Sequence, residues 1–239
     1  MNLILDIGNT LTKIALAEDN NVIFVNRHEI LTKEILITLL SKYSPEKAIV
    51  SAVGAKDISL IDYLKKQLPT IELDHKTRLP ITNLYKTPNT LGLDRIAAVV
   101  GVNYLYPSTD LLVIDSGTAI TYDLINSMAE YLGGAISPGI SLRYKSLHRD
   151  TANLPLLTSF ESSSLIGSST AECIESGVLN GVIGEVDYYI ARVKEDFPSI
   201  KVVLTGGDAN FFVNKLKNSI FVVPNLVIIG LNRILNFNA

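Results

Sequence analysis

An apolar strand running into an Asp-x-Gly turn occurs twice in this chain, as LILDIGNTLTKIAL at residues 3–16 and LLVIDSGTAITYDL at 111–124. Asp6, Gly8 and Thr12 line up with Asp115, Gly117 and Thr121, 109 positions on. One such turn is an ordinary choice of turn residues. Two, after matching apolar strands and about half a chain apart, indicate a duplicated domain with a phosphate-binding loop in each half. The spacing predicts an α/β fold with domains at 1–107 and 108–239. Pro107 and Ser108 mark the boundary.

Bulk properties limit the alternatives. The 239 residues are 47% hydrophobic, enough for a substantial core. The net charge is −3 and long basic runs are absent, so nucleic acid is not an expected partner. Cys173 is the single cysteine, which excludes an internal disulfide and a cysteine-rich zinc site and fits a reduced cytoplasm. Apolar runs such as 96–102 fall far short of the roughly 20 residues that span a bilayer. His28, His75 and His148 share no metal-ligand spacing.

The hydrophobic pattern predicts strands at 2–7, 11–16, 22–26, 47–53, 111–115, 201–204 and 220–223. It predicts helices at 32–42, 59–67, 92–104, 169–194, 211–217 and 225–235. Residues 69–92 and 133–139 read as loops, on their glycines and prolines.

Four clusters carry chemistry. In the first, Gly8 lets backbone N–H groups approach phosphate oxygens, and Asn9 and Thr10 add neutral donors. Asp6 would repel phosphate directly, so its sensible task is to hold Mg²⁺. Lys13 can neutralise charge on a transferred phosphoryl group. The second cluster, around Asp115, Gly117 and Thr118, is expected to form the opposite wall of a cleft. Together they point to ATP-dependent phosphoryl transfer.

The third cluster, Gly92-Leu93-Asp94-Arg95, opens a predicted helix. Arg95 suits a substrate carboxylate and Asp94 a substrate hydroxyl, which it would orient or deprotonate for attack on the γ-phosphate. An acid that merely stabilises its helix N-terminus is the competing explanation. In the fourth, Gly206 and Gly207 of Thr205-Gly206-Gly207-Asp208-Ala209 would let a purine or its ribose lie against the backbone.

In this order, the motifs resemble the type III pantothenate kinases of the actin, sugar-kinase and heat-shock ATPase superfamily. The match runs through DIGNT at 6–10 with Lys13, Tyr85-x-x-Pro88-x-x-Leu91-Gly92-x-Asp94-Arg95 and DSGTAIT at 115–121. It continues through Gly133-Gly134-x-Ile136-x-Pro138-Gly139, Thr151-Ala152-x-Leu154-Pro155, Ser169-Thr170 and LTGGDA at 204–209. The resemblance implies two RNase-H-like domains related by a pseudo-twofold, each with a mixed five-stranded sheet flanked by helices. It also implies a cytoplasmic homodimer that phosphorylates pantothenate with ATP in the first step of coenzyme A synthesis.

By the same resemblance, Asp94 is the catalytic base, and Tyr85, Gly92, Arg95 and Thr170 bind substrate. Asp6, Gly8, Asn9, Thr10, Lys13, Gly117, Thr118, Gly206 and Gly207 bind ATP, with Mg²⁺ at Asp6. Asp115 holds a monovalent cation, K⁺ or NH₄⁺. Leu93 stands where a small residue is common, Ser116 where alanine is common, and Asp150 where some members carry a substrate-contacting histidine. The loop at 54–58 is less proline-rich than in the family. A longer sugar kinase with a zinc motif fits poorly with one cysteine. A non-catalytic nucleotide-binding regulator of the same fold has no need of Asp94.

Overall fold

The chain alternates short apolar β-rich runs with amphipathic segments, and most of those runs are buried. The computed structural model describes residues 1–8, 11–52, 58–158 and 164–239. They form two compact units. Unit 1 comprises residues 1–108, 128–132 and 225–239, and unit 2 residues 109–127 and 133–224.

In unit 1, β1 (Asn2–Ile7), β2 (Thr12–Glu18) and β3 (Asn21–His28) form an antiparallel meander. Helix α1 (Lys33–Tyr43) leads to β4 (Lys47–Ala52), and α2 (Ile58–Gln67) to β5 (Thr70–Glu72). Both strands add in parallel beside β1, giving the order β3-β2-β1-β4-β5. Period-2 alternation divides the side chains of β1. Leu3 and Leu5 pack in one core with Leu36 of α1 and Leu60, Ile61 and Leu64 of α2. Asn2 points the other way, where its amide donates to Asn232 and Asn236 of α7 (Leu226–Phe237).

Helix α7 lies against α3 (Leu93–Leu105) at backbone contact distance. A Cβ on Gly230 would stand 1.7 Å from the Ala97 carbonyl oxygen, and one on Gly101 2.6 Å from that of Leu226. Two glycines thus set how closely the helices approach, and with it the position of the α3 N-terminus. A two-residue strand, β6 (Thr82–Asn83), pairs in parallel with Glu130 and Tyr131, the first residues of β9 (Glu130–Pro138).

In unit 2, β7 (Leu111–Ser116) and β8 (Ala119–Ile125) form the second hairpin. Strands β10 (Lys201–Thr205) and β11 (Phe221–Val222) add in parallel on the β7 side. The sheet order is β11-β10-β7-β8-β9-β6. Helices α4 (Ile140–Arg149), α5 (Thr170–Asp196) and the single turn α6 (Ala209–Phe212) complete the unit. Its core joins Leu112, Ile114 and Tyr122 to Val178, Val182 and Val186 of α5.

The mixed sheets with flanking helices are those expected, with four differences. The second sheet has six strands, because β6 adds to it. Residues 133–138, read as loop, extend β9; Gly134 sits in the strand because its missing Cβ would lie 1.6 Å from the Tyr122 carbonyl oxygen on β8. The helix expected at 211–217 is the short turn at 209–212, and α4 was not anticipated.

Candidate functional site

The residues singled out in unit 1 gather where β1 ends and α3 begins. Asp6 is the penultimate residue of β1, and Lys13 is its partner across the hairpin. The Lys13 Nζ lies 3.9 Å from Asp6 Oδ2. Gly8 opens the turn by donating its N–H to the Leu11 carbonyl at 3.1 Å. Asn9 and Thr10 lie outside the described residues.

Asp6 is 9% exposed. Burial pushes its carboxyl up to about 6; Lys13 pulls it down, and the charge of Asp94 pushes it further up. A carboxylate kept in so dry a place, beside a second acid, suits a divalent cation. Among the described residues, no group of three or more His, Cys, Asp or Glu side chains could hold a metal by itself. Mg²⁺ commonly takes one or two carboxylates and completes its shell with phosphate and water.

On the parallel neighbour of β1, Ser51 stands beside Asp6 in register. It is fully buried, and its hydroxyl has no hydrogen-bond partner among the described residues. A serine inside an apolar strand carries no motif, so nothing in the sequence marks it.

Helix α3 begins at Gly92 without a side-chain cap. Asp94 Oδ1 folds back over Gly92, where a Cβ would lie 2.5 Å away, and accepts the Arg95 N–H at 2.9 Å. Arg95 is 6% exposed. Its guanidinium lies over the Tyr85 ring, 5.8 Å from the centroid, and Nη2 donates to the Tyr131 hydroxyl at 3.0 Å. Tyr85 and Tyr131 are stacked with centroids 6.0 Å apart.

Unit 2 carries the second loop. Asp115 is paired with Thr121, six positions on, whereas Asp6 is paired with Lys13, seven positions on. The second hairpin is therefore one residue tighter, and the Thr12–Thr121 match in sequence does not survive in the pairing. Gly117 donates to the Ala119 carbonyl at 3.0 Å. Gly139 donates to the Thr118 carbonyl at 3.0 Å, and a Cβ on Gly139 would stand 2.1 Å from the Gly117 carbonyl oxygen.

Gly206 has φ +100°, and its Cβ would lie 2.1 Å from the Ser116 carbonyl oxygen and 2.5 Å from Asp115 Oδ1. A Cβ on Gly207 would meet nothing within 4 Å, so that face of the loop is open. The structure thus brings Gly206 against Asp115, with Gly117 and Thr118 held by Gly139 at the same end of the sheet. Burial pushes the Asp208 carboxyl up.

Thr170, the first residue of α5, lines a cavity of about 580 Å³ with Arg143, Leu147, Leu154 and Ile174. Arg143 is held there by Glu185, which also accepts from the hydroxyls of Ser137 and Tyr122. These bonds outweigh burial and keep the Glu185 carboxyl below its usual range.

A sequence model of the type III pantothenate kinases matches residues 2–192. The chain is 44% identical to a type III pantothenate kinase of Bacteroides fragilis, over all of this chain and 98% of the relative. The chain belongs to the type III pantothenate kinase family. Among solved structures, a Baf-family protein from Campylobacter jejuni aligns with a TM-score of 0.61 at 24% identity, over 99% of this chain and 98% of the other. A Listeria monocytogenes protein described as an N-acetylmannosamine kinase aligns at 0.59 and 14%, over 100% and 99%. At these identities they show a shared fold alone.

The departures from the family pattern are local. Asp150 is exposed and pairs with Arg149 at 2.8 Å, and His148 Nδ1 lies 2.7 Å from the Leu154 carbonyl oxygen. Ser116 is fully buried. The loop at 54–58 falls, but for Ile58, outside the described residues.

Proposed function

We propose that Asp6, Lys13, Asp94 and Arg95 carry the reaction of this family, ATP-dependent phosphorylation of pantothenate, the first step of coenzyme A biosynthesis. The observation that carries this reading is the gathering of the four at one end of the unit 1 sheet. There the Asp94 charge is felt at Asp6, and Lys13 faces Asp6 across β1–β2. ATP and a divalent metal are the family's cofactors, and pantothenate and ATP its substrates.

Arg95 takes the pantothenate carboxylate. Asp94 orients the attacking hydroxyl and accepts its proton as the bond to phosphorus forms. Tyr85 and Gly92 shape the pocket around them. Gly8, Asn9 and Thr10 receive phosphate oxygens, Asp6 would hold Mg²⁺, and Lys13 neutralises the transferred group. Bound Mg²⁺ withdraws charge from the phosphates. Transfer is direct, because positioning and charge suffice for a phosphoryl group and no covalent enzyme intermediate is needed.

Gly117 and Thr118 take further phosphate oxygens, and Gly206 and Gly207 the nucleoside. Asp115 would hold a monovalent cation, K⁺ or NH₄⁺. The pairing supports this: Asp115 faces neutral Thr121 where Asp6 faces Lys13, so a cation would add the positive charge that a second lysine does not.

We further propose a homodimer, each chain divided near 107/108, with 128–132 and 225–239 returning to the first unit. Thr170 lies in an apolar groove, and Leu165, Ile166 and Tyr188 of the same unit are exposed. A second copy seated there would cover them and bring Thr170 to a substrate. One cysteine, no basic patch in the sequence, and no helix among the described residues long and apolar enough to cross a membrane support a cytoplasmic enzyme without nucleic-acid or membrane partners.

The test is mass spectrometry of pantothenate incubated with the protein and MgATP in KCl or NaCl. A product heavier by one phosphate is expected, mainly in KCl. Equal product in both salts removes the cation from Asp115, and none in either removes the reaction. Light scattering on the eluting protein checks the dimer.

A further inference from the structure

Tyr131 belongs to none of the motifs that mark the site, yet it is joined to two residues that do. It is 2% exposed, at the start of β9. Its position is built by β6: Asn83 pairs with Tyr131, and Leu84 donates its N–H to the Tyr131 carbonyl at 3.0 Å. The Asn83 side chain then accepts the Tyr85 N–H at 3.0 Å. Two residues of strand and one amide therefore set Tyr85 against Tyr131, with the Arg95 guanidinium over the first ring and bonded to the hydroxyl of the second.

A buried tyrosine hydroxyl needs a partner, and a buried guanidinium needs acceptors. Here Arg95 Nη2 and the Tyr131 hydroxyl give each other one such bond. An arginine side chain is long and flexible, and it loses rotamer freedom when it grips a ligand. With Nη2 held by an oxygen on rigid β9 and the plane braced by Tyr85, that freedom is surrendered on folding instead.

We propose that Tyr131 is a positioning residue for substrate selection. Through its hydroxyl, it fixes the plane of the Arg95 guanidinium so that the enzyme favours a substrate with a carboxylate. This rests on the reading of Arg95 as the carboxylate anchor. Tyr131 touches no reacting atom, and its effect is on binding rather than on transfer.

Tyr131→Phe keeps the ring and its stack and removes only the oxygen. The KM for pantothenate rises roughly tenfold, as expected for the loss of one hydrogen bond to a charged group. The kcat and the KM for ATP stay within about threefold. The preference for pantothenate over pantothenol, its alcohol analogue with CH₂OH in place of the carboxylate, falls by about the same tenfold as the KM change. In an Arg95→Lys background the same substitution has a much smaller effect, because the coupling is lost.

Thermal melting shows whether the variant is folded. If it is not, direct titration of pantothenate and pantothenol into Arg95→Lys and wild type decides whether binding selectivity depends on the fork held by Tyr131; equal selectivity overturns the proposal. A folded Tyr131→Phe with unchanged KM and preference overturns it too, as does an equal loss in ATP affinity and kcat, which would make Tyr131 merely structural. A wild-type enzyme that accepts pantothenol as readily as pantothenate defeats the Arg95 reading itself, a separate result.

Discussion

Lys13 faces Asp6 directly across the β1–β2 hairpin, with Nζ 3.9 Å from Oδ2. The lysine does not fully offset the cost of burying the acid, since burial still holds the carboxyl up at about 6. The carboxylate is costly to the fold, and in the proposed function it is kept for a ligand.

Asp6→Asn should therefore stabilise the metal-free protein while abolishing activity. An acid whose pKa is raised on folding binds its proton more tightly in the native state. Its penalty is absent below the unfolded value of 3.8, grows as pH rises towards about 6, and is complete above it. Asparagine escapes this, by up to about 3 kcal/mol at pH 8. Urea denaturation in EDTA checks it: the variant should gain stability at pH 8, with the gain shrinking towards pH 4. A variant less stable than wild type at pH 8 would refute the account.

Mg²⁺ affinity should follow the same group. Below about pH 6 a proton occupies the carboxyl, so affinity for Mg²⁺ should fall nearly tenfold per pH unit. Calorimetric titration of MgATP between pH 5 and 8 reads this, and an affinity flat across the range would separate Asp6 from the metal.

Asp94→Asn should retain ATP binding and lose turnover by roughly 10²–10⁴-fold, the usual worth of a positioned general base. Single-turnover rates alongside nucleotide affinity make the comparison. Near-normal rates would take Asp94 out of the mechanism.

Arg95→Ala should weaken pantothenate binding far more than ATP binding. Isothermal titration with each ligand distinguishes this from a general defect. Equal losses would assign Arg95 to the fold.

Gly230→Ala should destabilise the protein by about 3 kcal/mol, a fall in melting temperature of roughly 6–12 °C. The added methyl meets the Ala97 carbonyl oxygen and must push α7 from α3. Since α3 carries Asp94 and Arg95, pantothenate KM should rise in the folded variant. A melting point within 1–2 °C of wild type would show that the helix pair yields easily.

Much of the candidate site is legible along the chain because its chemistry is local. Gly8 stands two positions after Asp6, where the turn opens, and Asp94 and Arg95 are neighbours at a helix start, so short spacings reveal them. The same local logic misled at 133–138. Gly133 and Gly134 suggest a loop in sequence, yet Gly134 is there to let two strands touch.

Other members of the site are joined only through distant parts of the chain. Asp6 and Ser51 come together through parallel pairing of β1 and β4, and Arg95 and Tyr131 through the pairing of β6 with β9. The second hairpin's tighter register, which sets Thr121 rather than Tyr122 opposite Asp115, is a property of pairing and not of composition. Turn chemistry and hydrophobic period act over a few residues and can be read from them. Strand register and helix contact are set by the packing of segments tens to hundreds of positions apart, which no local pattern encodes.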